Sequence, residues 1–210
     1  MTTKPRPGPR ILDRRLAAQS RMFRVEALDL EFSNGVRRTY ERVLGGGDSV
    51  MIIPMPDPHT LLLVREYAAG SDNYQLGFPK GKVDAGEAIL DAAAREIREE
   101  VGQAARDLRV LHRVSIVPGY IDHHTQLVLA RDLYPDPAPG DEPEPPEVVA
   151  WPIADVDGLL RRPDFSEARS IAALFLVRRF LAEGELIDQP GPAMNWASTT
   201  GDHVDDATRV

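Results

Sequence analysis

The 210-residue chain contains no cysteine, which excludes disulfides, thiolate zinc sites and cysteine nucleophiles and leaves oxygen or imidazole to hold any metal. That composition agrees with a reducing compartment. No apolar run approaches the ~20 residues that a membrane span requires, and residues 1–14, rich in Arg and Pro, lack the apolar stretch of a signal peptide. A cytoplasmic protein without a membrane partner is expected. Positive charge is also short: the formal net charge is −8, a surface that does not condense on nucleic-acid phosphates or anionic lipid. No nucleic-acid partner is expected. Internal repeats are absent, and 42% hydrophobic residues over this length suit one main core with at most a small appended unit.

Polar, Pro- and Gly-rich composition marks residues 1–18 and 187–210 as flexible terminal segments, with Met194 and Trp196 read as part of a loosely docked tail. Residues 19–47 read as a hairpin unit. There Leu28, Leu30 and Phe32 alternate with Asp29 and Glu31, Ser33-Asn34-Gly35 makes a turn, residues 36–44 form the second strand, and Gly45-Gly46-Gly47 is a joint. The main domain is expected over residues 48–186. Apolar runs at 50–53 and 61–64 read as a buried strand pair, with further strands at 108–117, 125–133 and 148–151. Residues 135–146 form a loop dominated by Pro, Asp and Glu; beyond Asp164 the spacing of Ile171, Leu174, Phe175, Val177 and Phe180 predicts a helix. Strands interspersed with two or three helices indicate an α/β sandwich around a mixed sheet.

The most informative segment is residues 81–102, GKVDAGEAILDAAAREIREEVG, a loop entering a helix near Glu87 and closing at Gly102. Ile89, Ala93, Ile97 and Val101 share one i, i+4 row, which predicts a sheet-facing side, while Glu96, Glu99 and Glu100 crowd an adjoining side. Glu96 and Glu100 are like charges one turn apart, and all three glutamates occupy the negative end of the helix dipole, a few tenths of a kcal/mol or more of destabilisation from each effect. Arg95 and Arg98 offset part of it. A hard cation offsets more, because carboxylate oxygens are the ligands that Mg²⁺ accepts. An arbitrary EIREE run reads as a solvated helix face; the spacing argues otherwise.

Gly81, five residues, Glu87, seven residues, then Arg95-Glu96-Ile97-Arg98-Glu99-Glu100-Val101-Gly102 is the Nudix box, whose chance occurrence here is on the order of one in a million. The chain thus resembles the Nudix hydrolases over roughly residues 48–186. The resemblance implies a Nudix α/β/α sandwich with mixed sheet, preceded by the small N-terminal β-hairpin unit, and metal-dependent pyrophosphohydrolase activity. Gln103 stands where the family pattern has an apolar residue, a departure that touches packing after the helix and not the metal face. The hairpin, the segment VEALDLEFSNGVRRTYER, the run EYAAGSDNYQLGFPKG and the stretch RPDFSEARSIAALFLVR resemble more narrowly the ADP-sugar and ADP compounds hydrolase branch. That implies hydrolysis of the diphosphate bond of ADP-linked compounds (ADP-ribose, NADH, adenosine polyphosphates) with release of AMP, and a homodimer in which the hairpin reaches the partner. Other nucleoside diphosphate derivatives or nucleoside triphosphates are the alternative substrates, and a non-catalytic nucleotide-sensing module the alternative role, against which stand the intact glutamates.

The same resemblance implies metal ligands at Glu96, Glu100 and Glu99, with a backbone carbonyl from Lys80, for Mg²⁺, with Mn²⁺ able to substitute. Arg95 then orients the carboxylates by paired hydrogen bonds, and Tyr40 and Glu41 stand at the hairpin positions that meet adenine. Related ADP-ribose hydrolases carry Arg after the strand aromatic, whereas Ala68 follows Tyr67 here; Arg65 or Lys80 is the candidate replacement at the diphosphate. A general base is expected from the acidic loop, with Glu144 first, Glu142 next and Glu147 beside them, and Glu99 if the loop supplies none. His123 and His124 read as solvated loop residues, since a hard-cation site has no need of imidazole.

Overall fold

The computed structural model describes residues 7–45 and 47–183; the expected tail at 187–210, with Met194 and Trp196, lies outside the described residues. The described residues form three sheets and three helices.

Strands β1 (Arg10–Gln19), β2 (Arg24–Glu31) and β3 (Arg37–Leu44) form an antiparallel N-terminal sheet. The hairpin β2–β3 stands as the alternation predicts, turning through Gly35 at φ 79°. The flexible segment expected over residues 1–18 requires correction, because residues 10–18 belong to β1. Every residue of β1 is exposed, so no buried period-2 stripe exists to be read. What holds it is the backbone ladder, together with the cross-strand pairs Arg10–Glu31 at 2.6 Å and Arg15–Asp29 at 2.7 Å, which look in sequence like a polar lead-in.

The second sheet lies at the centre. Strand β4 (Ser49–Pro54) is buried along its whole length, as expected for a strand covered on both faces. Strands β5 (Thr60–Ala68) and β6 (Asn73–Gly77) begin the third sheet. The expectation that 50–53 pairs with 61–64 is therefore corrected: both runs are buried, but they lie in different sheets, and apolar composition alone does not choose the partner. Strand β7 (Lys80–Lys82) returns to pair antiparallel with β4. Helix α1 (Ile89–Glu100) leads to β8 (Gln103–Ser115), then β9 (Ile121–Asp122) and β10 (His124–Pro135). β10 runs parallel to β4 and antiparallel to β8, giving the mixed order β7-β4-β10-β8. β9 joins β3 and fastens the N-terminal sheet to the main body, helped by Arg42–Asp122 at 3.2 Å and by the Gly45 N–H on the Asp122 carbonyl at 3.0 Å. β11 (Glu147–Pro152) pairs with β5, and α2 (Val156–Leu160) and α3 (Ala168–Glu183) are the last of the described elements.

Alternation along β4 and β10 divides the core in two. Val50, Ile52, Val128 and Ala130 pack against Ala92, Ala93, Ile97 and Val101 of α1. Met51, Ile53, Leu127 and Leu129 meet Leu61, Leu63, Leu76 and Phe78 of the opposite layer and Ala173, Leu174, Val177 and Phe180 of α3. The row read from sequence as the sheet-facing side of α1 is thus its packed side. Fully burying side chains of this size contributes about 1.5–3 kcal/mol each. That packing fixes α1 against the sheet, with its glutamates along the β7 edge. Among the described residues, no helix is long and apolar enough to cross a membrane.

Candidate active site

The site starts from a short strand. β7 carries the Lys80–Gly81 peptide past the last two turns of α1, and the Lys80 N–H donates to a Glu100 carboxylate oxygen at 3.1 Å. Gly81 faces Glu96 so closely that a Cβ there would overlap its carboxylate; the first position of the box is glycine because an acidic group fills the space a side chain needs. Glu96 and Glu100 are each only 8% exposed, an uncommon situation for carboxylates one helical turn apart.

Burial pushes the Glu100 carboxyl up to about 7, against the pull of Lys80, and Glu96 and Glu142 push it further. Glu96 is also raised by burial, Arg95 opposing it and Glu99 and Asp141 adding to it. These influences mark a convergence of carboxylates whose charge is incompletely compensated by the protein. Desolvation likewise lowers the Lys80 ammonium.

Arg95 organises the cluster. Its guanidinium donates to both Glu87 oxygens at 3.0 and 3.1 Å and to the Lys82 carbonyl at 2.9 Å. On the other side it donates to Glu96 at 2.6 Å and Glu99 at 3.2 Å. Glu87 in turn accepts the Asp84 N–H at 2.9 Å, which fixes the loop before the helix. The bidentate pairing expected of Arg95 is thus made with Glu87, and single bonds reach the other two glutamates.

The acidic loop closes the cavity from above. Gly102 ends the helix at φ 71°, and the chain returning from β10 docks on that end: the Ala138 N–H donates to the Arg98 carbonyl at 3.1 Å, and Arg98 pairs with Asp136 at 2.9 Å. A groove of about 760 Å³ results, lined by Glu96, Glu99, Glu100, Lys80, Asp141 and Glu142 among others.

Of the loop carboxylates, Asp141 and Glu142 line the groove. Glu144, ranked first from sequence, instead accepts the Tyr74 hydroxyl at 3.0 Å, and Glu147 pairs with Arg65 at 3.0 Å; the order of candidates is corrected accordingly. Pro residues stiffen the loop, but which carboxylate turns inward depends on tertiary docking. Arg65, a candidate diphosphate contact, is engaged within the protein. It is bound to Asp164 and Glu147, while Glu66, next on β5 and so on the other face, meets the Lys80 ammonium. Asp141 and Glu66 were not singled out by sequence; the acidity of the loop was the available signal for the first.

Tyr40 and Glu41 line a separate cavity of about 730 Å³ beneath the N-terminal sheet, with Leu28, Leu30 and His112, and this cavity shares no lining residue with the glutamate groove. Tyr40 is 48% exposed and lies 6.1 Å from Phe32, ring centre to ring centre. His123 is not a solvated loop residue as expected: it is half-buried, its Nε2 3.0 Å from the Ser49 hydroxyl.

The donor set for a metal is Glu96, Glu99 and Glu100 with the Lys80 peptide. Its all-oxygen chemistry and the raised Glu96 and Glu100 carboxyls suit a hard divalent cation. Arg95 engages one carboxylate oxygen each of Glu96 and Glu99, and no three acidic or histidine side chains among the described residues are drawn around a single point.

Residues 46–175 match the model of the NUDIX domain, and residues 9–42 match the NudE-type Nudix hydrolase N-terminal domain. The chain is 52% identical over 174 residues to the ADP compounds hydrolase NudE of Escherichia coli (strain K12), covering 82% of this chain and 93% of the relative. It is 25% identical over 170 residues to the ADP-ribose pyrophosphatase of Bacillus subtilis (strain 168), covering 78% and 91%. A crystal structure of an ADP compounds hydrolase superposes with a TM-score of 0.80 at 50% identity, covering 86% of this chain and 98% of that one. Buried box glutamates, the sandwich that presents them and these matches agree: the chain belongs to the Nudix hydrolases.

Proposed function

We propose that the protein hydrolyses the diphosphate bond of ADP-linked compounds (ADP-ribose, NADH and adenosine polyphosphates) and releases AMP, with Mg²⁺ as the working ion and Mn²⁺ able to replace it. The observation that carries this reading is the pair of buried carboxylates, Glu96 and Glu100, gathered at the Lys80–Gly81 peptide of β7 in a chain 52% identical to an ADP compounds hydrolase. Glu96, Glu100 and Glu99, with the Lys80 carbonyl, hold the ion. When bound, the ion neutralises charge on the diphosphate and acidifies the attacking water. Arg95 keeps the glutamates in register, and Glu142, facing the groove from the docked loop, takes the proton from water.

Tyr40 and Glu41 serve the adenine side. In one chain their cavity shares no lining residue with the glutamate groove, and Ile11, Leu12, Leu16, Met22 and Phe23 leave apolar side chains exposed on the N-terminal sheet. A cytoplasmic homodimer in which this sheet reaches the partner's groove accounts for both. The test is product analysis: protein and Mg²⁺ incubated separately with ADP-ribose, NADH, diadenosine polyphosphates and nucleoside triphosphates. AMP from the first three at rates well above triphosphate hydrolysis supports the reading; a marked preference for triphosphates overturns it.

A further inference from the structure

Beside the glutamate groove, and continuous with it through Lys80, Gly81 and Glu142, lies a smaller concavity of about 360 Å³ walled also by Glu66, Tyr67 and Arg169. Arg169 is the second residue of α3, a position at which the helix dipole adds to its positive charge. Its guanidinium is held at two corners. Nε pairs with Glu167, and Nη1 donates to the Thr125 hydroxyl at 3.1 Å. Thr125 is fully buried and bonded to the Ser49 hydroxyl at 2.8 Å, which reaches His123 Nε2 at 3.0 Å. A helix N-terminal arginine has no need of a buried three-residue brace for stability. The brace fixes the direction of the guanidinium, and from its Nη2 no hydrogen bond to another described residue is present. Opposite it, β5 ends at Ala68 without contributing a cation, since Arg65 is committed on the other face.

We propose that Arg169 is a substrate-binding residue, its Nη2 edge donating to a non-bridging oxygen of the phosphoryl group farther from the glutamates, with the Lys80 ammonium beside it. The inference rests on the reading of the groove as a diphosphate hydrolase site and deepens it: one phosphoryl group sits at the glutamates, the other at a preorganised guanidinium. The ligand class is therefore a diphosphate diester. Thr125 is a positioning residue that acts through Arg169. A charge-assisted hydrogen bond of this kind is recognised by geometry as well as charge, so lysine does not fully replace arginine.

The experiment compares Arg169→Gln, Arg169→Lys and Thr125→Val with the parent protein. KM for ADP-ribose at saturating Mg²⁺, Kd for the methylene-bridged analogue of ADP-ribose, the Mg²⁺ concentration for half-maximal rate, and thermal melts are measured for each. Arg169→Gln is expected to raise both KM and Kd about tenfold or more, with Arg169→Lys and Thr125→Val intermediate and Mg²⁺ dependence unchanged. A role confined to bracing α3 moves the melting temperature and leaves KM and Kd alone; that result overturns the proposal. Should Arg169→Gln not fold, an Arg169→Lys protein that folds with parental KM and Kd overturns it equally. If the parent protein neither cleaves ADP-ribose nor binds its analogue, the functional reading fails instead, an outcome distinct from a parent that works and variants that match it.

Discussion

Gly81 lies with its backbone against the carboxylate of Glu96, leaving no room for a methyl group between them. The two belong to different elements, β7 and α1, and their contact sets how deep the acidic face of the helix sits. Because the obstructed atoms are the far end of a flexible side chain, a methyl group displaces the carboxylate and leaves the backbone in place. Gly81→Ala is expected to lower kcat by about a hundredfold, in the range of losing a transition-state contact, while the melting temperature changes little. Steady-state kinetics beside a thermal melt checks this; near-parental kcat shows that Glu96 works from another position.

The acid–base behaviour of Glu100 gives a second expectation. Its carboxyl titrates near 7 because of burial, from an ordinary value of 4.5. The folded state therefore holds a proton that the unfolded state has already released between about pH 4.5 and 7, and the stability of the metal-free protein falls as pH rises through that window. Glu100→Gln removes the penalty. In EDTA the variant should melt with the parent near pH 4.5 and several degrees above it at pH 8, corresponding to about 3 kcal/mol. A gap that stays constant with pH removes Glu100 as its source.

For the proton acceptor, Glu142→Gln should reduce kcat by roughly a hundredfold with an unchanged Mg²⁺ requirement. Glu144→Gln, relieved only of its Tyr74 bond, and Glu147→Gln should stay within a few-fold of the parent. Asp141→Asn run in parallel separates a single base from a shared one. If Glu144→Gln alone is severely impaired, the loop turns over during catalysis.

A shared site predicts complementation. Tyr40→Ala and Glu100→Gln proteins, each poorly active alone, should regain activity when mixed and allowed to exchange subunits, because one mixed groove then holds both parental residues. Light scattering should show a dimer at micromolar concentration. A fully active monomer contradicts the arrangement.

Much of the site was legible because its chemistry lies in one continuous segment: residues 81–102 carry Glu87 in the loop and Arg95, Glu96, Glu99 and Glu100 at fixed helical spacing, and helical geometry converts spacing directly into shared faces. The sheet-facing row of α1 was legible for the same reason. Partners set by tertiary docking were not. Glu142 and Glu144 are two residues apart in a Pro-rich loop, and which faces the groove depends on the docking of residues 136–138 on the end of α1 and on the Tyr74 hydroxyl. The runs 50–53 and 61–64 are equally apolar, so the placement of β4 and β5 in different sheets leaves no composition signal. β1 escaped because its exposed strand is fastened by ion pairs and not by burial.

Whether the buried glutamates of α1 hold the divalent ion for cleavage of an ADP-linked diphosphate is read by titrating Mg²⁺ into EDTA-stripped parent, Glu96→Gln and Glu100→Gln proteins with ADP-ribose and following AMP release. The parent is predicted to be silent without metal and to yield AMP and ribose 5-phosphate in equal amounts with it. Both variants should lose at least about a hundredfold in rate and need markedly more Mg²⁺ for half their maximum. AMP release by either variant at the parental rate and parental Mg²⁺ concentration contradicts the account.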